Sequence, residues 1–455
     1  MSTRILAAGC VLAFFSQPLL AQENGETGIA PRLLWSLDTH APCYGSPAVA
    51  DLDGDGKLEI AFGTYYNDEH LYCVNAEDGT VLWKMKSEGG PFDASCLPLD
   101  VDGDGRLEII AGDSSTGTLF ALEGATGKVV WKFAGPNSTD SPPAAADLDG
   151  DGKPEIVYGT MAEADRRGTV VALNAEDASL VWLARVPGHV QSEPCLVDLE
   201  GDGQIDVLVT TWMGDHRIRA LSGKDGHELW THETGDSMYH GVSAGDLDGD
   251  GKPEIVASST DGSACCLSGA GGKLLWKKKL GDPPICYLFG PVTLADLAGD
   301  AHLEVLVPGR DLYCLNAAGE LLWTHEIGQQ IPRGAAVADL DGDGDLEVAL
   351  GADDRVFRVV SGAEGKELAR FDARIGEHEY EGIDSAPLLA DLDGDGCLDA
   401  FFVGGKGTSD ETRAANCGRA HALSLGKGRG PGWLMLGHDS RRSGSATGPF
   451  EWPRR

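Results

Sequence analysis

Eight times along this chain a short apolar run gives way to an acidic loop close to Asp-x-Asp-Gly-Asp-Gly-x-x-Glu. The loops begin at Asp51, Asp100, Asp147, Asp198, Asp246, Asp296, Asp339 and Asp391, spaced 49, 47, 51, 48, 50, 43 and 52 residues apart. A unit of this length cannot bury its own apolar face and must stack on copies of itself. The repeat therefore overrides the two or three separate domains that 455 residues would otherwise suggest.

The first unit reads as four strands. Residues 46–50 form a short apolar strand, the acidic loop 51–59 follows, and residues 60–63 form a second strand. Residues 70–74 alternate as a third, the turn 75–79 ends in the hairpin signal Asp78-Gly79, and residues 80–83 form a fourth. Four short antiparallel strands repeated around a ring predict an all-β, eight-bladed propeller. The fourth strand carries Trp35, Trp83, Trp131, Trp182, Trp230, Trp276 and Trp323, with Ala369 at the same place in one unit. Fourth strands start one unit early, and the last set (386–389, 398–403, 419–423) has none after it. Residues 33–37 are thus expected to complete the last blade, which leaves no open sheet edge. The predicted organisation is a signal peptide at 1–21, a linker at 22–32, the propeller at 33–425 and a tail at 426–455.

The signal-peptide reading rests on Arg4, the apolar stretch 5–15 and a small-residue cleavage site ending at Ala21. The apolar stretch is too short to span a bilayer. An exported protein, secreted or periplasmic, is expected. The formal charge of −36 argues against nucleic acid, whose backbone calls for basic stripes, and against an anionic membrane surface. A monomer with no membrane span is expected. Of eleven cysteines, Cys10 falls in the signal; the other ten show no zinc spacing and define no disulfide connectivity.

The acidic loops place carboxylates at positions 1, 3, 5 and 9, a backbone carbonyl near position 7, and a glycine at position 6 for the sharp turn. Hard oxygen donors in this order suit calcium. The expected ligands are Asp51, Asp53, Asp55 and Glu59; Asp100, Asp102, Asp104 and Glu108; Asp147, Asp149, Asp151 and Glu155; Asp246, Asp248, Asp250 and Glu254; Asp339, Asp341, Asp343 and Glu347; and Asp391, Asp393, Asp395 and Asp399. Loop four offers Asp198, Glu200, Asp202 and Asp206. Loop six has Ala298 for the second acid and Ala301 for the glycine, so about seven calcium sites and one vestige are expected.

These loops resemble those of FG-GAP and integrin-α-type propellers. The hairpins 121–131 and 220–230 resemble the tryptophan-docking repeats of pyrroloquinoline-quinone (PQQ) enzymes, and residues 433–444 resemble a short closing motif found after such propellers. The two repeat resemblances interleave over nearly all of 33–425 and imply the propeller fold. The quinoprotein resemblance would imply a dehydrogenase with adjacent cysteines against its cofactor, and Cys265-Cys266 matches that dipeptide. Cys266, however, shares the register of Cys73, Ala121, Ala172, Ala220 and Cys314, a small third-strand position, and neighbouring strand residues point to opposite faces. No PQQ is expected. The chain resembles more closely the cofactor-free relatives that act as outer-membrane assembly scaffolds. Rhamnogalacturonan lyases resemble it as well, with eight blades and similar loops, but no lysine or arginine–aromatic cluster matching theirs is found.

Chain direction puts the acidic loops and the hairpins between third and fourth strands on one face. Connections between blades, and loops between second and third strands, lie on the other. Counting back seven residues from each first Asp gives a ring at the funnel mouth: Tyr44, Asp93, Asp140, Gln191, Tyr239, Phe289, Pro332 and Asp384. His240 and Arg333 lie one residue on. Two insertions face the same way: 370–384, with His378, Glu379, Tyr380 and Glu381, and 404–418. Tyr65, Tyr66, Trp212 and His216 lie near. Aromatic, amide and carboxyl groups together suit a sugar or a peptide. His240, Arg333, Asp384 and Glu381 are also an acid–base set on paper. The expectation is nevertheless a scaffold binding a protein or polysaccharide, with no residue assigned a catalytic role. A polysaccharide-degrading enzyme of the lyase type is the alternative, and a PQQ-dependent dehydrogenase ranks behind it.

Overall fold

In the computed structural model, which describes residues 28–282, 288, 290–375 and 382–428, eight antiparallel sheets form a ring. The first blade runs Ala48–Ala50, Glu59–Gly63, His70–Asn75 and Val81–Lys86 in spatial and chain order. The following six blades repeat it. The last takes Leu388–Ala390, Asp399–Lys406 and Cys417–Ser424 from the chain's end and Arg32–Asp38 from its beginning. Trp35 pairs with Ala422 in that final ladder. Leu388–Ala390 lies between Ala48–Ala50 and Ala336–Ala338, so the ring closes. The signal peptide and the closing motif at 433–444 lie outside the described residues. Among the described residues no helix is long and apolar enough to cross a membrane.

The burial pattern explains the layering. First and second strands are buried along almost their whole length, third strands are buried except at their ends, and fourth strands alternate exposed and half-buried. Apolar side chains of adjacent sheets interdigitate into clusters that straddle blade boundaries. In one, Phe62, Tyr72 and Val74 of blade one meet Phe401, Val403 and Ala422 of blade eight. Alternation along one strand feeds two such clusters, so Cys265 and Cys266 pack into different ones, and both are free thiols.

Each fourth-strand tryptophan is a clasp between blades, six through an indole hydrogen bond and Trp230 by its ring lying against Gly272 of blade five. The Trp35 indole Nε1 donates to the Ala76 carbonyl of blade one at 2.7 Å, and Trp83 does the same to Gly124 of blade two at 2.7 Å. Trp131, Trp182, Trp276 and Trp323 repeat the contact with Ala175, Gly223, Ala317 and Gly362. The receiving hairpin carries a residue with positive φ under the ring. Gly79 (φ 73°) lies so close beneath Trp35 that a Cβ would collide with it. Ala369 lies in the fourth strand of blade seven and would face blade eight. Blade eight, however, has no third-to-fourth hairpin, because its fourth strand arrives from the N-terminus. The tail fills that place. Gly428 donates to Leu340 O at 3.1 Å and accepts from Leu398 N at 2.9 Å, while Ala30 donates to Leu425 O at 2.9 Å.

The last blade has one feature beyond the expected four strands. Its second and third strands run on as a ribbon, and Gly382–Ile383 pairs with Gly404 and Gly405 as a fifth short strand. The two insertions are therefore partly ordered against each other, at the funnel mouth.

Candidate metal loops and funnel cavity

The acidic loops are preformed by hydrogen bonds from their own backbone. Asp51 accepts from Gly54 N at 2.8 Å and Gly56 N at 3.1 Å; Asp53 accepts from Asp55 N, and Asp55 from Lys57 N. Glu59 reaches back to Leu52 N at 2.7 Å. These bonds use one oxygen of Asp53 and one of Asp55. In the loops starting at Asp51, Asp100, Asp147, Asp246 and Asp339, three carboxylates offer oxygens within 4.8 Å of one another. Glu155 Oε1, Asp391 Oδ1 and Asp399 Oδ1 are buried without any partner. Burial first, with neighbouring loop acids adding, pushes Glu59, Glu347 and Asp399 up to about 7 and Asp206 up to about 6. Converging anionic oxygens that lack donors fit a hard divalent cation. Loop six keeps the backbone pattern, Asp296 accepting from Asp300 N and Ala301 N, with Ala301 held at φ 69° where other loops have glycine.

The opposite face opens into a cavity of about 440 Å³. Its wall brings together Tyr44, Asp93, Asp140, Gln191, Tyr239, His240, Pro332, Arg333 and Asp384, every described member of the ring counted back from the loops. Phe289 and residues 378–381 lie outside the described residues. Tyr65 joins the wall. Tyr66 and Trp212 stand behind it, edge-on to Tyr65 at 4.9 Å and to Tyr239 at 5.4 Å. His216 is set apart, beside Ser237 and Asp236.

Arg333 occupies the middle of the wall. Its Nε donates to Tyr44 O at 2.6 Å and its Nη1 to His240 Nε2 at 2.6 Å, while the guanidinium lies 6.0 Å over the Tyr239 ring. His240 Nδ1 in turn lies 3.2 Å from Glu193 Oε2. Arginine only donates, so Nε2 accepts and Nδ1 carries the proton toward Glu193. Burial, together with Arg333 and against the pull of Glu193, holds the imidazole below its usual pKa; it is neutral. Burial acts to raise Glu193, but the hydrogen bond from His240 Nδ1–H and the positive charge of Arg333 outweigh it and keep that carboxylate below its ordinary value. Both ring nitrogens of His240 are thus engaged.

The other carboxyls are poorly compensated. Asp93 and Asp140 are close enough for their charges to act on each other, and Gln191 Nε2 donates to Asp140 Oδ2 at 2.6 Å. Burial first, then Asp140, raises Asp93 well above the usual carboxyl range. Burial pushes Asp384 up to about 7, with Asp353 adding and Arg333 opposing. Sequence reasoning missed Glu193, although it is the one acid five residues before a first loop Asp. The insertion 404–418, expected to face this mouth, does reach the wall, through Gly407, Thr408 and Ser409.

The fold and repeats define an eight-bladed β-propeller built of interleaved FG-GAP and PQQ-type repeats. FG-GAP repeat families match residues 44–82 and 100–158, and a PQQ-type family described as outer membrane protein assembly factor BamB matches residues 146–286. In sequence, the chain is 27% identical to BamB of Yersinia pestis over 44% of this chain and 48% of that one. It is 31% identical to a lambda-carrageenase of Pseudoalteromonas carrageenovora over 28% of this chain. The match spans 12% of the carrageenase, so the chain covers only part of these relatives. Among solved structures, the V. cholerae biofilm matrix protein Bap1 superposes with a TM-score of 0.62 at 16% identity, covering 87% of this chain and 91% of that one. That likeness is one of fold.

Proposed function

We propose that this is an exported, calcium-stabilised propeller that binds a polysaccharide at the mouth of its funnel and does no chemistry on it. The observation carrying this reading is the cavity wall, in which polar groups stand together with the rings of Tyr44, Tyr65 and Tyr239, Tyr44 edge-on to Tyr65 and Tyr239 backed edge-on by Trp212. Aromatic faces beside a polar pocket suit the apolar faces and hydroxyl edges of sugar rings. A non-catalytic role is supported by His240, whose two nitrogens are already occupied, so that it has no free lone pair for a general base. Calcium is supported by the convergent orphan oxygens of the loops, which would hold it with Asp and Glu side chains and stiffen one turn per blade. Export is supported by the arginine-then-apolar leader read in the sequence.

A protein occupant of the same face is the second reading, favoured by the BamB match over 44% of the chain. The test incubates the chain in calcium with immobilised neutral and acidic polysaccharides and measures retained protein and released fragments. Retention without fragments is expected. Fragments would establish an enzyme, and no retention on any glycan would shift the face to a protein partner.

A further inference from the structure

We propose that the funnel cavity is a receptor for an ammonium group, and that the polysaccharide it binds carries unsubstituted amino sugars. This rests on the saccharide reading above and adds the charge of the ligand. The wall is rich in acceptors and short of donors. Four carboxyls line it, Asp93, Asp140, Glu193 and Asp384, together with the Gln191 amide. Its one cationic side chain among the described residues, Arg333, already donates to Tyr44 O and His240.

Three acceptor oxygens are buried with no partner: Asp93 Oδ1, Gln191 Oε1 and Glu193 Oε1. Gln191 and Glu193 are themselves only 6% and 8% exposed, so they are built parts of the wall and not surface acids. No described residue donates to Asp384; its surroundings comprise burial and the charges of Asp353 and Arg333. Unpaired buried acceptors cost free energy until a donor arrives.

A neutral sugar hydroxyl brings an acceptor with every donor, so it cannot correct such an imbalance. An ammonium brings three donors, no acceptor and the missing positive charge. The tyrosine rings of the wall, Tyr44 and Tyr65, add faces on which a cation is attracted by the ring quadrupole. A volume of about 440 Å³ admits one hexosamine-sized unit.

The test is calorimetry of the full chain in saturating calcium at about pH 7.5, above the value of about 7 to which Asp384 is raised, so that this carboxyl is mostly ionised, and still at or below the titration range of an α-amino-type amine. The probes are the β-1,4 glucosamine trimer and its fully N-acetylated counterpart, which keeps the hydroxyls and removes the ammonium. One trimer per chain is expected, with the acetylated form at least about tenfold weaker, the scale of one charge-assisted hydrogen bond. Asp384→Asn should weaken the amino trimer by a similar factor and so narrow the preference for the amino over the acetylated trimer.

Equal binding of the two trimers would overturn the ammonium site while leaving the saccharide reading standing. No binding of either trimer, with none to the polysaccharide panel, would remove the saccharide reading itself. Amino-trimer binding unaffected by Asp384→Asn would assign the attraction to the general surface charge and overturn the site. A lysine tripeptide that binds in preference to the amino trimer would overturn the amino-sugar assignment. The comparison of the two trimers needs no variant, so it stands even if Asp384→Asn fails to fold.

Discussion

Arg333 reaches from the entry to blade seven and donates to Nε2 of His240, at the entry to blade five, over 2.6 Å. Its Nε bonds the carbonyl of Tyr44 at the entry to blade one. One side chain therefore ties three of the eight blades together across the funnel, and Glu193 ties a fourth through His240. Removing the guanidinium would leave a buried imidazole acceptor and the Tyr44 carbonyl without a donor. Arg333→Gln should destabilise the protein by about 2–4 kcal/mol in urea unfolding, more than an exposed arginine change, which costs about 0.5 kcal/mol or less. Nitrogen-resolved imidazole NMR should find His240 neutral at pH 7 with its proton on Nδ1, and Arg333→Gln should erase that tautomer bias. A protonated ring in the wild type would contradict the assigned chain of hydrogen bonds.

The seven indole clasps follow from how the ring is closed. Trp35 belongs to the strand that completes blade eight and docks on the hairpin of blade one, so it holds the seam between the two ends of the chain. Trp35→Ala should cost about 3–5 kcal/mol, the range for a packed aromatic. Ala369→Trp should give no gain, because blade eight offers no hairpin to receive the ring. Urea midpoints of the two variants decide this. A stabilised Ala369→Trp protein would show that the clasp needs only a sheet surface.

Loop six separates the loop's fold from its ligands. It keeps the turn and the bonds to Asp296 while lacking the acid at position 3 and the glycine at position 6. The ligand arithmetic predicts about seven calcium ions per chain, about six in Asp53→Ala, and about eight when Ala298→Asp and Ala301→Gly are combined. Native mass spectrometry after calcium loading reads the count. Chelation should lower the melting temperature, since an ion that binds only the folded state stabilises it. An unchanged count in Asp53→Ala would refute the assigned ligands.

The blade count, the N-terminal closure and the ring at the mouth could be read in advance because one register repeats eight times. A fixed offset from a first-strand anchor marks the same place in every blade, and so it found Tyr44, Asp93, Asp140, Gln191, Tyr239 and Asp384 together. What breaks the repeat was harder to see. Glu193 carries its signal only as the odd acid at its register, and its partner His240 is 47 residues away. The insertion 404–418 could be placed at the mouth, but that Thr408 and Ser409 are the residues entering the wall depends on a ribbon that no other described blade has. The gap at Ala369 is visible in the sequence, but its cause is a missing hairpin, which appears only once the seam is placed.

The cavity carboxyls set a pH dependence whose sign can be worked out. Asp384 has its folded pKa raised to about 7, far above that of a free aspartate. The native state therefore holds a proton that the unfolded chain gives up near pH 4, and by linkage stability falls as pH rises between these values. Asp93 acts in the same direction. Histidines held below their usual pKa, His421 most of all, act in the opposite direction, so the effect is read as a difference: in saturating calcium with no sugar present, Asp384 should cost the wild type on the order of 1–3 kcal/mol between about pH 5 and pH 8, after allowance for its partial solvent contact. Asp384→Asn, nearly isosteric and never charged, should match the wild type at pH 5 and exceed it at pH 8. Urea unfolding at both pH values measures the difference. Parallel curves for the two proteins would mean that Asp384 ionises freely and that its cavity is wetter than its packing implies.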